Sequence, residues 1–176
     1  MKENMLLKKI CSVYANDLHF ATLIFPFIHR ELEKNTTIRT VLEKDEQGNI
    51  EKVLENIGLN SDVKEEIRKI DWQGTNINKI RKNFKLLERD VKDNKKIDIV
   101  VSGRNIFIQK VNKAIDLWVK NNIELLENKE TELNIINCFS FEENKKIDDI
   151  MNTHEYILKT AGLEEIINEE ELLKAN

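Results

Sequence analysis

Ile97, Ile99, Val100 and Val101 form a short apolar, β-branched run with Asp98 inside it, and the run stops at Ser102-Gly103-Arg104. A continuous apolar run of that length, closed by turn residues, reads as a strand buried on both faces. Asn105 then stands at an N-cap position. Phe107, Val111, Ala114, Ile115 and Trp118 follow at helical spacing until Asn121-Asn122 ends the segment. They make one apolar stripe on a helix. A buried strand that passes through a glycine turn into an amphipathic helix is half of a βαβ unit. Similar units on either side imply an α/β fold: a mostly parallel central sheet of about five strands flanked by helices.

The flanking segments repeat the pattern. Ile10 to Tyr14 is a strand, Asn16 or Asp17 caps a helix over Leu18 to Lys34, and Pro26 inside that helix predicts a kink or two pieces. Thr36 to Glu43 reads as a second strand, ended by the polar turn Lys44 to Gly48. Asn49 opens a short helix closed by Gly58, and Asn60-Ser61-Asp62 caps another that runs to Arg68. Lys69 to Trp72 reads as a brief third strand. Asn76 to Asp93 is a helix, with Ile77, Ile80, Phe84, Leu87 and Val91 at spacings of three and four. Glu132 to Phe141 is the fifth strand. Ile147, Ile150, Met151, His154, Leu158 and Ala161 place a last helix before Gly162, and the acidic tail from Leu163 to Asn176 reads as helical.

With 176 residues there is room for one full core and not for two, so residues 1–162 read as a single domain followed by the tail. Charged residues make up 34% of the chain and the net charge is −4, so the overall field repels nucleic acid. The helix from Lys79 to Lys96 is locally basic, but its one aromatic residue, Phe84, belongs to the core stripe. A basic face without interleaved aromatics is a solvated face or a dock for the acidic tail residues Glu164, Glu165, Glu169, Glu170 and Glu171, unless that tail binds a partner through Ile166, Ile167, Leu172 and Leu173. Cys11 and Cys138 sit singly inside apolar strands, which predicts buried, reduced thiols and a cytoplasmic setting. Nowhere do about 18 apolar residues run together, so no membrane partner is expected.

In an open α/β sheet ligands bind beyond the carboxyl ends of the strands. That rule selects Asn16-Asp17, Glu43 to Asp45, Asp71 to Gln73, Ser102 to Arg104, and Ser140 to Glu142. Arg104 beside a helix N-terminus, with the Ser102 hydroxyl near, suits a carboxylate or phosphate; the plainer reading is that Ser102 and Asn105 cap and Arg104 is solvated. The ligand-binding candidates are Asp17, His19, Asp71, Trp72, Ser102, Arg104, Ser140 and His154. For His154, on an apolar stripe, the alternative is a satisfied core histidine. His19 and His29 lie too far apart for a helical metal pair, and no zinc-hydrolase pattern is present. Phosphate loops need clustered glycines, and the five glycines here are scattered singly. After the first strand stands Tyr14-Ala15-Asn16-Asp17-Leu18, with no glycine and no lysine. Triphosphate hydrolysis by a Walker mechanism is therefore not expected.

The order of these pieces resembles the MEDS domain, a sensory domain named for methanogens, methylotrophs and the DcmR regulator. The resemblance runs from about Ile10 to Ala161. It is carried by Leu23 to Ile28 with Glu31-Leu32, Val53-Leu54 with Ile57-Gly58-Leu59, Ile70-Asp71-Trp72, Phe107 to Trp118, Ile136 to Phe139, and His154-Glu155-Tyr156. It implies a RecA-like or Rossmann-like three-layer sandwich without a P-loop, used as a non-enzymatic input domain that senses small molecules. Members of the family are often joined to a helix-turn-helix domain or a histidine kinase. Here the tail is too short and too acidic to read DNA. The expectation is thus a regulator with no cofactor and no metal, whose partners are a small-molecule ligand, a histidine kinase or transcription regulator, or a second copy of itself. The alternative is a nucleotide-binding protein or enzyme that uses the strand-end crevice without a Walker motif.

Overall fold

The computed structural model describes residues 6–93, 96–142 and 147–166. The apolar run is strand β3 (Lys96–Ser102), and it lies inside a sheet with β1 (Leu7–Tyr14), β2 (Thr37–Leu42), β4 (Glu132–Ser140), β5 (Tyr156–Lys159) and β6 (Gly162–Glu165). The order is β2-β3-β4-β1-β5-β6, parallel throughout except for the β5–β6 pair. Alternation along a strand sends Ile97, Ile99 and Val101 to one face and Asp98 and Val100 to the other. Because both faces are covered, the strand reads as unbroken apolar sequence.

One face is covered by α1 (Asp17–Glu33), α2 (Gln47–Asn56) and α3 (Ser61–Arg68), which bury Ile24, Phe25, Ile28, Leu54 and Ile67 against Val100 and Ile136. The opposite face carries α4 (Ile80–Asp93), α5 (Asn105–Asn121), α6 (Ile123–Lys129) and α7 (Ile147–Met151); Leu87, Val111, Ile115 and Leu126 pack there on Ile99 and Ile135. This is a three-layer α/β sandwich. Asparagines start three helical segments by capping. The Oδ1 atoms of Asn16 and Asn60 accept from the backbone N–H groups of His19 (2.9 Å) and Val63 (3.0 Å), and that of Asn76 serves the 3-10 turn Ile77–Lys79 that leads into α4.

The chain from β2 to β3 uses both faces. After α3, residues 69–76 pass the carboxyl end of β2, where the Thr75 N–H donates to the Leu42 carbonyl at 2.6 Å and Gly74 bridges Leu42, and α4 then descends the other side. A Cβ on Gly74 would stand 2.6 Å from the backbone nitrogen of Asp45, so only glycine permits this close crossing.

Several expectations are corrected. Lys69 to Trp72 is not a strand: Trp72 is core, its indole N–H donates to the Ile67 carbonyl at 2.9 Å, and the segment is an irregular strap whose alternation mimics a strand. Helix α1 passes Pro26 in one piece, because Leu23, Ile24, Phe25, Phe27 and Ile28 are all buried around it and their packing outweighs the lost hydrogen bond. Gly58 does not close α2 in the left-handed conformation, since Ile57 already leaves in an extended one. Asn105 is the first helical residue of α5 rather than its cap, a place taken by Arg104. Helix α6, not foreseen, follows Asn122.

The last helix is the largest correction. Among the described residues of this stretch only Ile147–Met151 is helical; His154 lies in the turn beyond, and Leu158 and Ala161 belong to the β5–β6 hairpin. The free edge of β1 takes Tyr156 and Ile157 in parallel register, and that pairing overrides the helical spacing of the apolar residues. Leu163, Glu164 and Glu165 are therefore strand and not helical tail, with Lys159 and Glu164 paired at 2.8 Å. Residues 167–176, including Glu169 to Glu171, lie outside the described residues.

Cys11 and Cys138 are free and fully buried on adjacent strands, one residue out of register, so their thiols point to opposite faces. Burial pushes Cys11 up to about 11 and Cys138 higher still.

Candidate functional site

The carboxyl ends of β1, β2, β3 and β4 meet as expected, but they enclose little. Tyr14, Glu43, Glu46, Ser102, Arg104 and Ser140 line a hollow of about 80 Å³. Asp17 and Trp72 contribute to a neighbouring recess of about 20 Å³. The Glu43 carboxylate fills the position where an anion would sit. It accepts from the Arg104 backbone N–H at 2.7 Å, from Nε at 2.8 Å and from Nη2 at 2.5 Å. Hydrogen bonding from the guanidinium is the main cause that holds the Glu43 carboxyl below its usual range. An arginine already matched by a carboxylate is a poor phosphate receptor.

Gly103 makes this clasp. Its φ of +155° is open to glycine, and an added Cβ would lie 2.6 Å from Glu43 Cβ and 2.9 Å from Phe107 Cδ1. Gly103→Ala is expected to destabilise the protein by about 2 kcal/mol. Urea denaturation checks this; an unchanged midpoint would show that the clasp is not built on glycine.

The remaining candidates are bound into local structure. His19 Nδ1 accepts from the Ala15 N–H at 3.0 Å while its own N–H is capped by Asn16, so it closes the first turn of α1. Asp71 is exposed, its Oδ1 accepting from the Gln73 N–H at 3.0 Å and its carbonyl receiving the Thr40 hydroxyl. Trp72 packs against Phe25 with ring centroids 6.2 Å apart.

His154 is in a different place. Among the described residues α7 spans five positions, and beside α5 a cavity of about 630 Å³ opens over the sheet face. Its wall on α5 is the polar stripe Asn105, Gln109, Asn112 and Asp116, and its floor is Asn137 and Phe139 of β4 with Lys9 of β1. Asp149, Ile150, Thr153 and His154 form the far side.

A chain of amides runs through the cavity. Asn112 Nδ2 donates to Asn137 Oδ1 at 2.8 Å, and Asn137 Nδ2 returns a bond to Asn112 Oδ1 at 2.9 Å. The second Asn137 proton meets His154 Nε2 at 3.0 Å. His154 Nδ1 lies 2.7 Å from the Ile150 carbonyl, a contact that requires the proton on Nδ1 and leaves Nε2 as the acceptor. Burial, the leading cause, lowers the pKa of His154, so the ring is neutral at neutral pH. Phe139 holds it edge-on, with centroids 5.7 Å apart.

The network is thus a pre-formed wall of neutral polar groups. The charges around it are matched in number: Lys9 is paired with Asp116 at 3.0 Å, and Lys113 and Asp149 complete the set. Among the described residues no three His, Cys, Asp or Glu side chains gather where they could hold a metal ion, and no helix is long and apolar enough to cross a membrane.

Strand-end logic missed this site because the cavity lies over a sheet face. Two signals pointed to it. Asn137 interrupts the apolar run from Ile135 to Phe139, and Asn105, Gln109, Asn112 and Asp116 repeat at helical spacing beside the apolar stripe of α5.

The fold and the cavity together define an α/β domain with a lateral polar pocket. No protein-family model matches the chain, and no curated protein matches it significantly.

Proposed function

We propose that this chain is a cytoplasmic, non-catalytic sensory or regulatory domain of the MEDS kind, which binds a small molecule in the cavity between α5 and α7 and passes the signal to a protein partner. The observation that carries the reading is the Asn112–Asn137–His154 chain lining a cavity of about 630 Å³. That volume lies within the usual range for small-molecule pockets. The groups lining it suit recognition better than turnover. Both ring nitrogens of His154 are committed, and the two thiols are buried with raised pKa values. Among the described residues two cations and two carboxylates surround the pocket, so neither ionic sign is favoured. The ligand class is accordingly a neutral or zwitterionic polar molecule with hydrogen-bond donors for the amide and carboxylate oxygens that line the pocket.

A thermal-shift panel of free amino acids, small amides, sugars and nucleosides tests this. A ligand present at 100 times its Kd should add about 2.7 kcal/mol of stability. Gln109→Trp changes an exposed α5 residue that faces the cavity, so it should fill the pocket, leave the unliganded melting temperature unchanged and abolish the response. A shift that survives this substitution, or nucleotide hydrolysis lost on changing Arg104, would move the site to the strand ends and defeat the proposal.

A further inference from the structure

The two edges of the sheet are built differently. At one end β6 presents exposed Leu163, Glu164 and Glu165, and charge of one sign protects such an edge from pairing. At the other end β2 has the sequence Thr37-Ile38-Arg39-Thr40-Val41-Leu42, with no proline. Its one charge, Arg39, is turned onto the sheet face, where Nε and Nη2 bind the buried Asp90 carboxylate at 2.6 and 2.7 Å.

The backbone phase of β2 shows which groups face outward. The Glu43 N–H donates to Ser102 of β3, whereas the Leu42 carbonyl points away and accepts from the Thr75 N–H. Backbone direction alternates along a strand, so the N–H and C=O of Ile38 and Thr40 also point away from β3. The crossing strap pairs its backbone with Leu42 alone and takes the Thr40 hydroxyl on the Asp71 carbonyl; the backbone groups of Ile38 and Thr40 have no backbone partner on that side among the described residues. These outward groups line a groove of about 460 Å³, with Leu32 and Ile70 on one lip and Phe84 and Leu87 on the other.

Two features define what fits. The strand is recessed between lips that rise on both faces, so the matching edge of a second copy would bring lip against lip, while a single extended chain fits between them. Lys69 lines the groove, and helical spacing puts Lys79 and Lys82 one turn before Asn83 and Leu86 of the other lip; all three lysines are exposed and none is in an ion pair among the described residues. Of the nearby acids, Glu66 is paired with His29 at 2.9 Å and Asp90 with Arg39; Asp71 is the one exposed carboxylate of the groove without an ion pair among the described residues, against three such lysines.

We propose that the open edge of β2 is a docking groove for an extended acidic and apolar segment of a partner protein, which adds to the sheet as a further strand. Main-chain hydrogen bonds to Ile38 and Thr40 supply the affinity, the apolar lips take alternate side chains, and the cations select acidic flanks.

The test uses the full chain and the synthetic peptide Glu-Glu-Val-Thr-Val-Val-Glu-Glu, with its counterpart carrying lysine for every glutamate. Amide hydrogen exchange is followed by NMR. Saturating acidic peptide should slow exchange at Ile38 and Thr40 by at least about tenfold, and the lysine peptide should not. Thr40→Pro, which removes an outward donor at an edge position, should abolish binding. Should that variant fail to fold, the double substitution Lys69→Glu with Lys82→Glu tests the same groove from its exposed rim and should weaken binding about tenfold at low salt. Unprotected amides at saturation, or equal binding of both peptides, would overturn the proposal. So would protection that grows with protein concentration alone, which would assign the edge to a second copy.

Discussion

Trp72→Ala should lower the free energy of unfolding by about 4 kcal/mol. The residue is 2% exposed, although it lies on an irregular strap rather than in a regular element. Its ring fills the space between Phe25 of α1 and the carboxyl end of β2, and its indole N–H satisfies the Ile67 carbonyl at the end of α3. Alanine leaves a cavity and removes that donor together. The strap has no ladder of its own to hold it, so the loss reaches the Gly74 crossing and the recess beyond Ser102. Trp72→Phe keeps most of the volume and loses the hydrogen bond, and should lose only about 1–2 kcal/mol. Urea unfolding of both variants checks the pair. Equal, small effects would show that the strap is not anchored through this ring.

The second large effect is a dependence on pH centred on Asp98. This carboxyl is fully buried in β3 and faces the α1 side; one oxygen accepts from Asn134 Nδ2 at 2.8 Å, while Asp98 Oδ2 and Asn134 Oδ1 have no hydrogen-bond partner among the described residues. Two acceptors in a dry interior lack a donor, and a proton on Asp98 would supply one. Burial is the largest cause that raises its pKa to about 6; the Asn134 hydrogen bond opposes the shift, and the Glu31 charge adds to it. Lys96, with its Nζ 2.6 Å from Glu31 Oε2, also opposes the shift, and Glu132 adds to it.

A folded-state pKa above the unfolded value means that the native state holds the proton more tightly. Its contribution to stability is therefore complete below about pH 4 and is lost as pH rises through 6. The difference amounts to about 3 kcal/mol. Asp98→Asn removes the titration with little change of shape, so the stability of the variant relative to the parent should rise by about that amount between pH 4 and pH 7.5. Denaturant titrations across that range decide it. A constant difference between the two proteins would mean that Asp98 ionises as freely as in water.

The two residues also show how far the chain could be read in advance. Asp98 was legible, because an acid inside a run of isoleucine and valine has to be buried with the strand. Trp72 was legible as an important residue but not as the right element: four residues of alternation fit an extended strap as well as a strand. The eight ligand candidates divide in the same way. Ser102, Arg104, Ser140 and Asp17 do gather at the strand ends, yet Glu43 occupies the gap between them, and neither its distance from Arg104 nor the size of the hollow is written in the sequence. The sequence places His154 on an apolar helical stripe, whereas it lines a cavity from the turn that follows α7.

The sequence by itself determined the class of fold, the central strand with its helix, the asparagine caps of α1 and α3 and the burial of both cysteines. All of these follow from local periodicity and short-range hydrogen bonding. Only the tertiary structure decided that β5 and β6 replace the last helix, that a cavity opens beside α7, and that the edge of β2 stays open among the described residues. Those outcomes depend on which strand edges remain free after β1, β3 and β4 have paired, a competition between distant segments that no local spacing records.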